Sequence, residues 1–320
     1  MTPGEETGRL RTVTGTIPMS AITGAVLPHE HLGLDLRWPA HPRLLDSDPR
    51  RWLDEEKPVT AELAALRADH DLGLVVDLTC SGMGRNAAAL ARMSAGARVA
   101  VVAGTGMFAG PFHPSSVGDA SVEQIAERLL AEIGFGMDGT SSLPGVIGEV
   151  GTLEAAPGEA EERCLRGAAQ AARYSGLSVA THGRCGLALL EILTGAGLDP
   201  ARIAVGQQDR VDDPAAHRKI AESGAYVSFG AVGLAGDDPA ALETLVRNVM
   251  ELLDAGHADR VLLSTGVARM ARLRRYGGDG YGYLFDRFLP ALRAAGADEA
   301  TLTGILHDNP LRWLTAGSPA

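Results

Sequence analysis

Residues Val146–Gly151 read VIGEVG, an unbroken run of apolar and small residues with one carboxylate inside it. A half-exposed hairpin strand alternates apolar with polar, whereas a parallel strand covered on both faces stays apolar throughout. Three runs of similar kind precede it: Val26–Leu32 (VLPHEHL), Leu74–Cys80 (LVVDLTC) and Val99–Met107 (VAVVAGTGM). Four follow: Leu177–Gly183 (LSVATHG), Ile203–Asp209 (IAVGQQD), Ala225–Gly230 (AYVSFG) and Val261–Gly266 (VLLSTG). Helical patterns separate them. Thr60–Asp71 opens on a Thr cap, and Ser121–Ile133 has Ser as cap with Gln124 at the capping-box position. Glu159–Tyr174, Pro214–Ser223 and Pro239–Ala255 continue the series, the two prolines standing where a first turn tolerates them. Alternating β and α predicts a parallel sheet, and eight units predict closure into a single-domain α/β fold, a (β/α)8 TIM barrel. The competing open sheet lacks a Gly-rich dinucleotide fingerprint after its first strand. Residues 1–11 are expected to be a loose tail and 12–320 the barrel.

Composition narrows the function classes. The chain has 320 residues, 45% of them apolar, so a sizeable core is available, but aromatics are only 4% and the core must rest on aliphatic side chains. Net charge is -11, and Lys57 and Lys219 are the only lysines. An acidic chain without a basic stripe argues against nucleic acid and for a small-molecule substrate. Cys80, Cys164 and Cys185 are odd in number and show no paired spacing, which fits a reducing cytoplasm. No apolar run of about 18 residues marks a membrane span, and the opening MTPGEETGRLRTVTG has no apolar stretch of the signal-peptide kind.

In such barrels the active site forms at the C-terminal ends of the strands. The first run ends in His29-Glu30-His31, and strand alternation puts the two imidazoles on one side with Glu30 on the other. The fourth carries Glu149 and the fifth His182. Three imidazoles and a carboxylate converging on one barrel mouth make a plausible zinc or manganese set.

Four segments in the right order, HEHL (29–32), GVIGEVGT (145–152), VATHG (179–183) and HDNPLRWL (307–314), resemble the phosphotriesterase family. GGDGYGYLFDRFLPALRAAG (277–296) resembles the segment that follows strand eight in its phosphotriesterase homology and lactonase subgroup. The resemblance implies an amidohydrolase barrel, a homodimer, and two divalent metals bridged by the strand-four residue, here Glu149. It implies that His29 and His31 hold the more buried metal and His182 the more exposed one. A strand-six histidine and a strand-eight aspartate complete the family set. Here the corresponding positions read Gln207 and Gly266. An amide oxygen is a weak ligand beside imidazole, and glycine offers none. Neither Asp209, two residues past Gln207, nor Asp259, before strand eight, stands at the expected strand end. At most one divalent metal, zinc or manganese, is therefore expected. Gln207→His together with Gly266→Asp is expected to raise metal binding and hydrolysis.

Arg184 and Arg210 follow strand ends five and six and suit an anionic group. Together with Gln207, Met107 and Phe108 they are the expected substrate-binding residues; Glu149, His182, His29 and His31 are the expected catalytic ones. His41, His70, His217 and His257 read as surface residues. The missing strand-eight carboxylate points to altered chemistry, an elimination, isomerisation or cyclisation in which Glu149 and a histidine exchange protons. The alternatives are metal-dependent hydrolysis of a lactone, ester or phosphoester, and a non-catalytic small-molecule binder.

Overall fold

The computed structural model describes residues 8–37 and 52–317. Eight parallel strands run in sequential order around a nearly closed barrel. They are β1 (Ala25–Glu30), β2 (Leu72–Asp77), β3 (Ala100–Thr105), β4 (Val146–Gly151), β5 (Val179–His182), β6 (Ile203–Val205), β7 (Tyr226–Phe229) and β8 (Val261–Leu263). The helices between them include α1 (Glu56–His70), α2 (Ala87–Ala97), α3 (Val122–Phe135), α4 (Glu159–Ser175), α5 (Gly186–Gly195), α6 (Pro214–Glu222) and α7 (Pro239–Asp254). The eight-fold barrel is thus as the sequence predicts. No described helix is long and apolar enough to cross a membrane.

Alternation along the strands divides the core. Val26, Leu74, Val76, Val102, Val146, Ala180, Ala204, Tyr226 and Leu262 belong to one buried cluster, which also contains Leu10, Ile22 and Trp313. Their strand neighbours, such as Leu27, Val75, Val101, Ile203 and Leu263, join the larger cluster shared with the helices. A filled barrel lumen leaves its open mouth as the place for chemistry.

Local signals hold where the chemistry is local. Ser121 accepts from the Gln124 amide and Gln124 reaches back to the Ser121 amide, closing the capping box expected for α3. Asp213 and Asp238 cap α6 and α7, whose prolines occupy the first turn. Three expectations need correction. α1 begins at Glu56, and Thr60 is not its cap but donates its hydroxyl to the Glu56 carbonyl one turn earlier. The sixth ladder stops at Val205, because Gln207 turns into the left-handed region at φ 60°. His217 is fully buried on α6, edge-on to Phe229 at 5.2 Å. His70 and His257 are part-buried, and His41 lies outside the described residues. Within the stretch read as a tail, Arg9–Thr12 pairs with Gly15–Pro18 and buries Leu10. All three cysteines are free thiols.

Candidate metal and substrate site

Two irregularities in the ladders aim the central side chains. Leu27 pairs with Val75 and Glu30 with Asp77, so β1 carries one extra residue in a stretch containing Pro28, which has no N–H to give a ladder. β4 slips likewise between Ile147 and Val150. There Gly148 lies so close to β5 that a Cβ would stand 2.5 Å from the Ala180 carbonyl oxygen, and only glycine fits. Bulges bend a strand and re-aim its side chains; here they bring His29, His31 and Glu149 together at one end.

Glu149 is the hub. One of its oxygens, Oε2, lies 3.3 Å from His29 Nε2 and 2.8 Å from His182 Nδ1, and the other lies 3.5 Å from His31 Nε2. Burial pushes the Glu149 pKa up, but His182 and His29 outweigh it and hold the carboxyl well below its usual range. Burial lowers the pKa of His29, but Glu149 prevails and raises it. His31 Nδ1 is 3.0 Å from Thr79 Oγ1, and Thr79 in turn donates its amide to Asp77. Asp77 also accepts from the Leu32 amide, and burial lifts its pKa to about 6. The two rings of the HxH pair are perpendicular, 5.7 Å apart.

The donor atoms of His29, His31 and Glu149 all lie within 4.8 Å of one another, the only such group among the described residues. Zinc bonds of about 2.0–2.2 Å to nitrogen and oxygen make a tetrahedral edge of roughly 3.4 Å. The His29–Oε2 contact of 3.3 Å has that length, and His31 stands 3.5 Å from the other Glu149 oxygen, so the donor set fits a divalent cation. His182 stands beside this group rather than in it. Its Nδ1 is hydrogen-bonded to Glu149, and its ring meets Phe108 edge-on at 4.9 Å.

A pocket of about 260 Å³ opens above these residues. Leu34, Leu36, Met83, Phe108 and Phe112 are on its apolar side, and Arg210, Arg269 and Arg272 supply cations. Gln207 and Gly266 both line it, as their alignment with strands six and eight predicts. Of the other expected substrate contacts, Phe108 and Arg210 are in the lining. Met107 is buried at the end of β3 outside the described lining, and Arg184 is exposed away from it.

The position of the missing strand-eight aspartate has been rebuilt. Gly266 lies at φ +64°, and a Cβ there would stand 2.5 Å from the Ala231 Cβ and 2.9 Å from the Gly230 carbonyl oxygen. The expectation that Gly266→Asp would restore a ligand fails on this geometry, since the turn leaves no room for a side chain. Asp209 does not replace it. Its side chain is nearly covered, takes the Ala231 amide at 3.2 Å and stays outside the His29–His31–Glu149 group.

Sequence reading missed Asp77, Thr79 and Tyr281. The first two were visible as alternating polar residues in an apolar strand. Tyr281, whose hydroxyl donates to the His31 carbonyl at 2.7 Å, comes from a distant loop and gave no local signal.

Comparison with known proteins agrees with the geometry. The Phosphotriesterase family matches residues 8–314. The phosphotriesterase homology protein of Escherichia coli is 33% identical over 294 residues, covering 91% of this chain and 98% of the relative. A solved structure of it, complexed with phosphate in the active site, superposes with a TM-score of 0.85 at 32% identity, covering 91% of this chain and 99% of that one. A resiniferatoxin-binding protein from Rhodobacter sphaeroides reaches 0.88 at 31% identity, over 98% of this chain and 96% of that one. Human N-acetyltaurine hydrolase is 28% identical over 345 residues, 96% of this chain and 98% of the relative. By its sequence from end to end and by its barrel, the chain belongs to the phosphotriesterase family.

Proposed function

We propose that the protein hydrolyses a small ester, lactone or amide that carries an anionic group, using one divalent cation, zinc or manganese, held by His29, His31 and Glu149. The observation that carries this reading is the convergence of those three donor sets at the floor of the pocket. When bound, such a cation supplies Lewis acidity toward an acyl or phosphoryl oxygen and acidifies water. Glu149 sets the charge of the site, and His182, hydrogen-bonded to it and braced by Phe108, stands ready to pass a proton to or from a leaving group. Arg269 and Arg272 favour a phosphate, sulfonate or carboxylate tail; burial, then the neighbouring Arg269, lowers the pKa of Arg272, as expected of two cations sharing one space. The apolar side takes the rest of the substrate. Similarity over the whole chain to a hydrolase supports hydrolysis over elimination, isomerisation or cyclisation.

The single-cation reading is supported by the left-handed Gln207, which leaves the second family site with Glu149 and His182, whereas the crowded Gly266 takes the strand-eight ligand from the first site and leaves it His29, His31 and Glu149. Protein prepared without chelator should hold about one zinc or manganese per chain, and Glu149→Gln should lose it together with turnover of lactones, N-acyl aminosulfonates or aryl phosphates. Two equivalents surviving dialysis would overturn the one-cation reading. Full turnover by metal-stripped protein would favour proton exchange by Glu149 and His182 alone. A homodimer belongs to the same proposal on family resemblance, and a monomer mass in sedimentation at micromolar protein would remove it.

A further inference from the structure

Glu30, the last residue of β1, lies between His29 and His31 but faces away from the pocket, fully buried. The eight-stranded order begins at β8 and ends at β1, and no ladder joins those two strands among the described residues. The Glu30 carboxylate stands in the gap. Its Oε1 accepts from Ser264 Oγ at 2.8 Å, the Thr265 amide at 2.7 Å, Thr265 Oγ1 at 2.5 Å and the Gly266 amide at 3.2 Å. Its Oε2 accepts from the Val267 amide at 2.9 Å. Ser264 Oγ also receives the His29 amide at 3.2 Å, so one hydroxyl ties the backbone of a candidate ligand to the same carboxylate.

The consequence reaches the His29 ring. Four consecutive residues, 264–267, are drawn onto one side chain, and this holds Gly266 in its left-handed turn. That turn leans on Ala231 and the Gly230 carbonyl. Gly230 in turn is the flat wall behind His29, since a Cβ there would stand 2.5 Å from Nδ1. A closed circuit therefore runs from Glu30 through the end of β8 and the end of β7 back to the imidazole one residue before Glu30.

We propose that Glu30 is a positioning residue for the cation site: by replacing the missing β1–β8 ladder with five hydrogen bonds, it fixes the His29 ring and thereby the affinity for a divalent metal. The inference rests on the one-cation reading above. Partners that orient a ligand from behind typically contribute about 10–100-fold to metal affinity. No hydrogen bond joins Glu30 to a donor atom of the group among the described residues, so its positional effect passes through His29, and the ring signals of metal-free protein read that part apart from its charge.

The test is Glu30→Gln, which keeps the shape but sets an NH2 against backbone N–H donors. Zinc affinity is measured by competition with a chromophoric chelator, well below the unfolding midpoint. The ring ¹H–¹³C signals of His29 are recorded on metal-free protein. The expected result is a loss of about 10–100-fold in zinc affinity, with the single His29 ring signal broadened or split. Glu132→Gln, in the Arg85–Glu132–Asp138 cluster that is not part of the pocket lining, serves as the structural control. It should lower stability and leave zinc affinity and the His29 signal in place. If Glu30→Gln does not fold, Ser264→Ala removes one donor and the His29 tether, and a loss of the same sign is expected. Zinc affinity within twofold of wild type, with an unchanged His29 signal, would overturn the proposal. So would the Glu132 control losing as much affinity as Glu30→Gln. A wild type that binds no zinc would overturn the cation reading instead, and the ring signals would still decide the role of Glu30.

Discussion

Gly266→Ala places one methyl group where the strand-eight turn has no space. Two costs are separable. A residue with a Cβ in the left-handed region costs roughly 1–2 kcal/mol. The new Cβ would also stand 2.5 Å from the Ala231 Cβ and 2.7 Å from its Cα, more than 1 Å inside van der Waals contact. Forcing a packed site apart on that scale costs about 1–3 kcal/mol. The sum is roughly 2–5 kcal/mol. Urea unfolding followed by fluorescence should show a lower midpoint at an unchanged slope. In the double variant Gly266→Ala/Ala231→Gly the methyl partner is gone, so only its share of the packing cost should be recovered, while the contacts with the Ala231 Cα at 2.7 Å and the Gly230 carbonyl oxygen at 2.9 Å and the left-handed cost persist. The cycle therefore isolates the methyl–methyl contribution. Gly266→Asp should be at least as destabilising as Gly266→Ala and should not raise metal content, with or without Gln207→His. A loss below about 0.5 kcal/mol, the scatter of ordinary surface changes, would show that the turn is soft. A gain of a second metal equivalent in Gly266→Asp would refute the reasoning outright.

Other outcomes are equally specific. His217 is fully buried, and neither ring nitrogen has a well-formed hydrogen bond among the described residues; burial lowers its pKa from 6.5, only partly offset by Asp213 and the Gln208 backbone. The unfolded state therefore binds the proton more readily, and the stability this group confers is present above pH 6.5 and lost as pH falls below it. His217→Phe should flatten that part of the pH–stability curve, and an unchanged slope between pH 5 and 7 would contradict it. Arg272→Met, and separately Arg269→Met, should weaken inhibition by inorganic phosphate by about 10–100-fold, the worth of one hydrogen bond between charged groups. An unchanged inhibition constant in both would remove the anionic tail from the proposed substrate.

The sequence by itself determined the barrel. Eight apolar runs alternating with capped helical patterns admit few other arrangements, because strand burial on both faces and helix capping are written in contiguous residues. It also located His29, His31, Glu149 and His182, because strand ends in this architecture share one mouth. Helix and strand limits near turns were less legible. Nothing local in Ile203–Asp209 announces that the ladder stops at Val205 and that Gln207 adopts a positive φ. The same holds for His217, whose place on α6 reads as surface until β7 supplies Phe229 as its neighbour. What only the tertiary structure decided are relations between residues far apart in the chain. They include the separation of His182 from the three-residue donor group, the crowding of Gly266 by Ala231, and the capture of residues 264–267 by Glu30, some 235 positions earlier. The physical reason is that a buried carboxylate or a left-handed glycine is set by whatever atoms surround it, and closing the barrel is what brings those atoms into place.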